Sequence, residues 1–327
     1  MKVILPVAGK GTRLLPITRH TPKPLIRVAG RPVLDYVMDK LEDLDVEELI
    51  FITGHLKEQI ETFVEDRYDI PSRFVEQKVQ DGTAGAVALG RDYIDGPVLI
   101  VFVDTVFDAD ISLANRTDAD GIIWAKEVED YQRFGVIVTD EDGYMQRIVE
   151  KPSEPISKLA NIGLYFIRDW QTLYAGIDQT LASPKNQGEW YLTDAFQYMV
   201  DQGKKIVTAE VDGWYDCGKV ETVLETNRHL LEHGSAAVEA ILDGGTVVDP
   251  VRVEMGATVV NSTIGPNVVI EQGAEVDNCT IRDAVVGRGS VLRNCTIVHS
   301  LIGENVNLED RDLDNMVAAI DEVAPAP

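Results

Sequence analysis

Gly9-Lys10-Gly11-Thr12-Arg13-Leu14-Leu15-Pro16-Ile17-Thr18, followed three residues later by Pro22-Lys23-Pro24, is the stretch that decides the fold of this chain. It comes directly after the apolar run Val3 to Ala8, and an apolar run that ends in a glycine-rich loop is typical of a buried strand. Glycines let backbone N–H groups approach a ligand closely. The first 34 residues carry seven basic and no acidic side chains, in a chain with 55 acidic ones. The stretch therefore predicts an anion-binding loop.

Two common phosphate-binding motifs do not fit this loop. The dinucleotide fingerprint requires a third glycine where Leu14 stands, and an acidic residue about 20 residues further on. That later region reads Ala29-Gly30-Arg31-Pro32. The Walker loop requires Gly-Lys-Ser/Thr after four spacer residues, a pattern that the loop lacks.

The loop instead resembles that of the sugar-1-phosphate nucleotidyltransferases, including the glucose-1-phosphate thymidylyltransferases. The shared pattern is Gly-x-Gly-Thr-Arg-Leu-x-Pro-x-Thr, a short spacer, then Pro-Lys-Pro-Leu, and residues 9–25 match it at nearly every defining position. The resemblance implies an enzyme that condenses an NTP with a hexose-1-phosphate to an NDP-sugar and releases pyrophosphate. Such a reaction needs neutralised charge and in-line placement at the α-phosphorus rather than a strong base.

The resemblance also implies roles for residues at the nucleotide. Arg13 and Lys23 are the predicted catalytic pair, which would hold the triphosphate and the charge that grows on the leaving pyrophosphate. Gln77 lies five residues before Gly82, which is the spacing of the base-reading glutamine in the family. Its amide fits uracil, thymine or guanine, so it leaves the base open. The other predicted nucleotide-binding residues are Ala8, Gly9, Gly11, Thr12 and Thr83.

A second group of residues resembles the sugar site of the family. Glu150-Lys151-Pro152 follows a predicted strand, and the resemblance implies that Lys151 contacts the sugar phosphate and Glu150 the sugar hydroxyls. The remaining sugar-phosphate-binding candidates stand where the family lines its hexose pocket, and they are Gly135, Asn161, Gly163 and Glu189.

Two acidic residues are the predicted metal ligands. Asp104 ends the apolar run that begins at Val98, and Asp216 lies in Gly213-Trp214-Tyr215-Asp216-Cys217-Gly218, which resembles the second metal motif of the family. Carboxylate oxygens suit Mg²⁺, the predicted cofactor. Thr105 stands where the family usually has asparagine, and Asp108 and Asp110 are rival ligands to Asp104.

Strand-like and helix-like segments alternate along the first 238 residues. The order begins βαβαβαβ, which predicts a Rossmann-like three-layer α/β sandwich with a mixed, mostly parallel sheet. We therefore predict a nucleotidyltransferase domain at residues 1–238.

A repeat replaces this alternation beyond residue 240. Aliphatic residues recur every five or six positions from Val253 to Leu308, and Asn-Ser/Cys-Thr-Ile recurs at 261–264, 278–281 and 294–297. Three short strands per coil, each with one inward aliphatic residue, make a triangular solenoid. The pattern resembles the left-handed β-helix of hexapeptide-repeat proteins. We predict such a domain at residues 239–310, with little more than three coils.

The end of the chain is predicted to be an acidic tail at residues 311–327. Leu313, Met316, Val317 and Ile320 have helical spacing, which favours a helix that caps the open end of the β-helix. The solenoid itself is expected to pair subunits into a homo-oligomer, as in related enzymes.

Composition limits the partners and the compartment. The formal net charge of -25 argues against nucleic acid and anionic membranes as partners. The three cysteines favour a reducing cytoplasm over a disulfide framework. Cys279 and Cys295 are expected to stack one coil apart as core residues.

Several functions remain open on the sequence. We favour glucose-1-phosphate with dTTP or UTP, which is a statement about frequency in the family rather than about one residue. The alternatives are a mannose-1-phosphate guanylyltransferase, and a bifunctional or regulatory homologue whose β-helix carries acyltransferase or ligand-binding activity. An acyltransferase generally needs a histidine base, and His299 is the one histidine after residue 233.

Overall fold

The computed structural model describes residues 1–326, and these form two compact units. The first unit consists of Met1–Gly9 and Val37–Trp214, and the second of Lys10–Tyr36 and the chain from Tyr215 onward. The units therefore divide the N-terminal motif after Gly9, whereas the predicted boundary at residue 238 follows chain order and stays a prediction. Pro327, the last residue of the predicted tail, lies outside the described residues.

The helices and the strands of the first two thirds of the chain follow the predicted alternation. The α-helices are α1 Val33–Leu41, α2 Lys57–Arg67, α3 Thr83–Ala88, α4 Trp170–Ala182, α5 Leu192–Asp201 and α6 Val220–Leu230. The strands up to residue 216 are β1 Lys2–Pro6, β2 Arg27–Val28, β3 Arg31–Pro32, β4 Glu48–Thr53, β5 Ser72–Glu76, β6 Val98–Val101, β7 Thr105–Asp108, β8 Gly121–Glu127, β9 Gly135–Thr139, β10 Met145–Glu150, β11 Leu159–Ile167, β12 Ile206–Glu210 and β13 Gly213–Asp216.

One predicted strand is too long. The apolar run from Val98 was expected to continue to Val103, but β6 ends at Val101. Asp104 therefore lies in the turn between β6 and β7 instead of at the strand end.

The sheet of the first unit is mixed. Its order is β10-β9-β11-β6-β1-β4-β5, with β8 beside β11 and β12 beside β8. The pairs around β1 are parallel, and β11 runs antiparallel to β6, β8 and β9. The predicted fold class is confirmed.

Both faces of this sheet are buried. Ile4 belongs to a core that includes Leu173 of α4 and Phe196 of α5. Val3 and Leu5 point to the opposite face, because side chains alternate along a strand, and they are also 0% exposed. Burial on both faces explains why β1 is a continuous apolar run.

The second unit contains a triangular β-helix. Its strands are β14 Ala237–Val238, β15 Ile241–Val247, β16 Val251–Val253, β17 Thr258–Ile264, β18 Val268–Ile270, β19 Glu275–Asp277, β20 Thr280–Arg282, β21 Ala284–Val286, β22 Val291–Arg293, β23 Thr296–Val298, β24 Leu301–Ile302, β25 Asn307–Glu309, β26 Asp312–Asp314, β27 Met316–Ala319 and β28 Glu322–Pro325. Successive coils pair in parallel along three faces, so the predicted solenoid is confirmed. The aliphatic residues from Val253 to Leu308 that set the repeat are buried inside it.

The corners of the β-helix explain the sequence repeat. Asn261, Asn278 and Asn294, which begin the repeated tetrapeptides, have φ between 48° and 54°. Asparagine tolerates this left-handed conformation better than most residues. Asn278 Nδ2 donates to Asn294 Oδ1 at 2.8 Å, and Asn294 Nδ2 donates to Asp310 Oδ1 at 2.9 Å, so the corner is also a hydrogen-bonded ladder.

The predicted capping helix is wrong. Residues 312–325 form β26, β27 and β28 instead, and β28 runs antiparallel to β27. Asn315 has φ +56° and continues the 16-residue spacing of His299, which turns a corner where a helix would have to continue. The β-helix is accordingly longer than the predicted three coils, because β14 and β15 precede that repeat and β24 to β27 follow it.

The thiols of the β-helix behave as predicted. Cys279 and Cys295 are buried and free, and the Cys295 backbone N donates to Cys279 Sγ at 3.3 Å across one coil. Among residues 1–326, no helix has the length and apolar character needed to cross a membrane.

Candidate active site

The predicted base-reading residue, Gln77, lies at the end of β5 in the first unit and is 8% exposed. Its backbone N donates to Thr53 O at 2.8 Å, which extends the pairing of β5 with β4. Its Nε2 donates to Asp81 Oδ1 at 3.1 Å and to Gly82 O at 3.4 Å. The amide is therefore held beside the loop that opens α3.

This loop is fastened to the segment before α5. A Cβ on Gly82, which has φ +120°, would overlap Trp190 O and lie 2.6 Å from Trp190 N. Trp190 N donates to Asp81 O at 2.8 Å, and Thr83 Oγ1 accepts from Leu192 N at 2.8 Å. The Thr83 side chain thus holds two loops together within the first unit.

The strand end that precedes the glycine loop is fixed from the same side. Gln80 Nε2 donates to Ala8 O at 2.6 Å. A Cβ on Gly54 would lie 2.9 Å from Ala8 Cβ, so the two chains pass closely. Gly9 is exposed, with nothing within 4 Å of a Cβ built on it. The end of β1 is rigid, and the chain is open immediately after it.

Three of the predicted sugar residues converge in the first unit, at the ends of β9, β10 and β11. Gly135 lies opposite Glu150 in the β9–β10 register, and Asn161 Nδ2 donates to Gly135 O at 2.8 Å. A Cβ on Gly135 would overlap Asn161 Nδ2 and lie 2.9 Å from Glu150 Oε2. Only glycine leaves this space open, because every other residue would fill it.

Two further side chains complete this cluster. Thr193 Oγ1 donates to Glu150 Oε2 at 3.2 Å, and Tyr165 OH donates to Asn161 Oδ1. Burial raises the pKa of Glu150 above its ordinary value, against the opposing effects of Lys151 and of the Thr193 hydrogen bond. A half-neutralised, buried carboxyl beside two amide and hydroxyl groups suits the recognition of a polyol.

The other predicted sugar residues have different surroundings. Lys151 has φ +45°, and its Nζ lies 3.1 Å from Tyr191 OH and over the Tyr191 ring at 4.7 Å. Gly163 lies in the irregular part of β11 and accepts from Phe102 N at 2.9 Å, so it supports the chain just before Asp104. Glu189 is exposed on a tight turn closed by Asn186, where its charge contributes to the raised pKa of Glu150.

The rival metal acids are engaged elsewhere in the first unit. Asp108 Oδ1 lies 2.8 Å from Lys40 Nζ. Asp110 accepts from Ser112 N at 3.1 Å and pairs with Arg116 at 2.6 Å, so it caps a short 3-10 turn. Both side chains have surface roles, whereas Asp104 is half-buried in the turn after β6.

The remaining part of the N-terminal motif lies in the second unit. Thr18 Oγ1 donates to Gly11 O at 2.9 Å, and a Cβ on Gly11 would lie 3.2 Å from Lys23 Cβ. Gly11 has φ +62°, and Thr12 and Arg13 beyond it are exposed. The structure thus brings Gly11 and Lys23 together although 11 residues separate them in sequence.

Asp216, the second predicted metal ligand, lies at the end of β13 in the same unit. Its Oδ1 accepts from Gly218 N at 2.8 Å and its Oδ2 from Thr222 Oγ1 at 3.2 Å, next to the start of α6. Each carboxylate oxygen keeps a further lone pair. Among residues 1–326, no three His, Cys, Asp or Glu side chains are grouped as a metal centre.

Comparison with known proteins agrees with this arrangement. The family model described as "Nucleotidyl transferase" matches residues 2–233, which is more than two thirds of the chain. The chain belongs to the nucleotidyl transferase family. The prediction of a sugar-1-phosphate nucleotidyltransferase-type chain with a C-terminal β-helix is confirmed at this level.

Individual relatives of this nucleotidyl transferase act on nucleotide sugars, judging from their names. The UTP–glucose-1-phosphate uridylyltransferase AglF of Haloferax volcanii is 33% identical over 249 residues, which cover 73% of this chain and 100% of that protein. The bifunctional protein GlmU of Methanocaldococcus jannaschii is 32% identical over 259 residues, covering 79% of this chain and 61% of GlmU. The glucose-1-phosphate thymidylyltransferase of Streptomyces antibioticus is 31% identical over 291 residues, covering 86% and 81%. The chain thus spans about three fifths of the GlmU proteins that it matches.

A solved structure shares the fold of this nucleotidyl transferase. The crystal structure of a UDP-glucose pyrophosphorylase complexed with UDP-glucose matches with a TM-score of 0.63 and 25% identity. The match covers 71% of this chain and 98% of that one.

Sequence reasoning missed several residues of the nucleotidyl transferase site. Thr193 and Tyr165 contact the predicted sugar residues, and Gln80 and Asp81 hold the base loop. Gln80 and Asp81 lie between Gln77 and Gly82 and were within reach of the motif. Thr193 and Tyr165 have no such signal, because they read only as parts of an amphipathic helix and a buried strand.

His299 does not look like the base of an acyltransferase. It is a corner residue with φ +47°, and its Nδ1 lies 3.1 Å from Asp314 Oδ1. Its Nε2 lies 3.7 Å from Asp283 Oδ2. The imidazole bridges coils in a polar column, which is a structural role.

Proposed function

We propose that this nucleotidyl transferase condenses UTP or dTTP with glucose-1-phosphate, giving an NDP-glucose and pyrophosphate. The observation that carries the proposal is the cluster of Gly135, Glu150 and Asn161, which offers a buried carboxyl and an amide beside a space that only glycine leaves open. UTP is the favoured nucleotide, since the chain aligns with the whole of a UTP–glucose-1-phosphate uridylyltransferase.

The proposed reaction is a single in-line displacement. A phosphate oxygen of glucose-1-phosphate attacks the α-phosphorus of the NTP, and the bond from that phosphorus to the oxygen bridging the β-phosphorus breaks. The electron pair leaves with pyrophosphate. The attacking oxygen is already an anion, so catalysis consists of placement and charge stabilisation.

Residues of the chain take the following proposed roles. Arg13 and Lys23 stabilise the charge on the triphosphate and on pyrophosphate, with backbone N–H groups of the loop beside them. Gln77 reads the base, Glu150 and Asn161 bind sugar hydroxyls, and Lys151 binds the sugar phosphate. Gly11 brings the backbone close to Lys23, whereas Thr83 acts by joining the base and sugar loops.

Enzymes of this family generally use a divalent metal ion, and we propose Mg²⁺. Asp104 and Asp216 would hold it, since Mg²⁺ is commonly bound by one or two carboxylates together with substrate phosphates. The free lone pairs on Asp216 fit that donor set. When bound, the ion neutralises phosphate charge. The homo-oligomer, the cytoplasmic location and the lack of nucleic-acid and membrane partners remain predictions.

The proposal is tested by a substrate panel. UTP, dTTP and GTP are each combined with glucose-, mannose- and N-acetylglucosamine-1-phosphate in the presence of Mg²⁺, and pyrophosphate release is measured. We expect the highest kcat/KM with glucose-1-phosphate and UTP or dTTP. Preference for GTP with mannose-1-phosphate would support the guanylyltransferase alternative. No release from folded protein in any combination would contradict the proposed function.

Glu150→Gln is expected to raise the KM for glucose-1-phosphate about tenfold at pH 8, the equivalent of one hydrogen bond to a charged acceptor. Because the pKa of Glu150 is raised, its carboxylate is protonated as pH falls before that of an exposed glutamate would be. The KM of the unaltered protein should therefore rise between pH 8 and pH 5. The variant shares the titration of the substrate phosphate and serves as the control. Parallel pH profiles for the two proteins would contradict a sugar-binding role for Glu150.

A further inference from the structure

The segment Lys10–Tyr36, which carries Arg13 and Lys23, is part of the same compact unit as the β-helix. Ile17 is 8% exposed, and a Cβ on Gly303 of the β-helix would lie 3.3 Å from Ile17 Cγ1. The nucleotide loop of the proposed function therefore packs on coils that follow it by almost 300 residues in sequence.

An enclosed ion network joins this segment to the β-helix. Arg27 Nε lies 2.7 Å from Glu271 Oε1, and Arg27 Nη2 lies 3.2 Å from Glu254 Oε1. The side chains of Arg27, Glu254 and Glu271 are 13%, 12% and 2% exposed, so water screens the network little. Arg27 also donates to Gly30 O, so one guanidinium fixes both the β2–β3 turn and two β-helix carboxylates.

The carboxylates are themselves held in place. Glu254 Oε2 accepts from Gln272 N at 3.0 Å, which ties it to the next coil. Burial raises the pKa of Glu271 to about 7, against the opposing charge of Arg27. The guanidinium is thus the group that favours the charged form of Glu271, and the planar fork of arginine fits two such acceptors.

Further contacts fix the segment on both sides of Lys23. Ala29 N donates to Asn227 Oδ1 of α6 at 2.9 Å, and Asn227 is 1% exposed. On the other side, His20 Nε2 lies 3.0 Å from Asp321 Oδ1, and Arg19 pairs with Glu322. Lys23 begins a 3-10 turn only four residues before Arg27. The turn is therefore anchored at its two ends by the β-helix and by α6.

We propose that Arg27, Glu254 and Glu271 are positioning residues, through which the β-helix sets the geometry of the nucleotide loop. The inference rests on the proposed function, and it gives the β-helix a role within each chain in addition to any role in subunit pairing. Buried ionic groups specify a geometry more reliably than they add stability. An offset of about 1 Å in a catalytic group can cost about 100-fold in rate, which makes such a network consequential.

The test uses the full chain with two variants and one control. Glu271→Gln removes the charge and keeps the shape. Arg27→Met/Glu271→Met replaces the pair by apolar side chains of similar volume, which commonly preserves stability. Asp283→Asn is the matched control, since Asp283 pairs with Arg228 at 2.9 Å in the same unit and is 13% exposed. Asparagine also tolerates the φ of +45° at that position.

We expect the double variant to keep its thermal unfolding temperature while its kcat/KM for UTP falls about 10- to 100-fold. Glu271→Gln should lie between it and the unaltered protein, and the KM for glucose-1-phosphate should change less than twofold in all of them. Activity of the double variant equal to that of Asp283→Asn would overturn the proposal. Equal rises in KM for both substrates would do the same.

Hydrogen exchange separates this inference from the proposed function. Peptides that cover residues 10–24 should exchange faster in the double variant than in Asp283→Asn, whether or not the protein releases pyrophosphate. Absent turnover in the unaltered protein, with faster exchange in the variant, would reject the proposed function and keep the anchoring role. Unchanged exchange in residues 10–24 would reject the anchoring role.

Discussion

A chain that ends at residue 238 is expected to lose nucleotidyl transfer to below one hundredth of the full-length rate, as for a misplaced catalytic group. Without the β-helix, Lys10–Tyr36 loses the acceptors of Arg27 and the surface beneath Ile17. Ordering a residue costs about 1–2 kcal/mol, which the remaining contacts of the segment would have to offset. Arg13 and Lys23 would stay in the chain, but their positions would no longer be fixed.

The measurement combines pyrophosphate release, far-UV circular dichroism and light scattering on the truncated chain. The first unit has its own core around Ile4, Leu173 and Phe196, so its helical signal should persist. A chain that ends at Ala319 is the control, because it keeps Glu254 and Glu271 and loses only the exposed pairs of residues 321 and 322. A folded truncated chain with full activity would contradict the account, even if its oligomeric state fell.

Asp104→Asn and Asp216→Asn are each expected to lower kcat by at least the ~10²–10³-fold that follows loss of one transition-state stabiliser. An amide cannot supply the negative charge that a divalent cation requires. The folded state should survive in Asp216→Asn, because the asparagine oxygen can still accept from Gly218 N.

Asp108→Asn and Asp110→Asn are the matched controls for these two changes. Their carboxylates pair with Lys40 and Arg116 at the surface, where an ion pair contributes about 0–1 kcal/mol. Both should stay within a few-fold of the unaltered kcat, as expected when only a surface pair is lost. Dependence of kcat on Mg²⁺ concentration is measured for all four variants. A larger loss in either control than in Asp104→Asn would contradict the metal assignment.

Local motifs made part of the site predictable from the sequence. Gly135, Glu150 and Asn161 were identified by resemblance, and they meet because β9, β10 and β11 are neighbours in one sheet. The β-helix was predictable because each coil needs an inward aliphatic residue and a left-handed corner residue, and both recur in the sequence.

The remaining features depend on contacts between distant parts of the chain. Arg27 reads as one of seven basic residues near the N-terminus until the fold places Glu271 beside it, 244 residues later. The apolar spacing at Leu313 and Val317 fits a helix and a coil of the β-helix equally, and the left-handed Asn315 excludes the helix. Thr193 contacts Glu150 only because α5 packs beside β10.

The central claim is that this chain transfers a nucleotidyl group to a sugar-1-phosphate. The most direct measurement incubates the full chain with Mg²⁺, glucose-1-phosphate and UTP labelled with ³²P at the α-phosphorus, followed by separation of the products. The account predicts that the label appears in UDP-glucose and that unlabelled pyrophosphate forms in equal amount. Label that stays in UTP, or that appears as UMP whether or not glucose-1-phosphate is present, would contradict it.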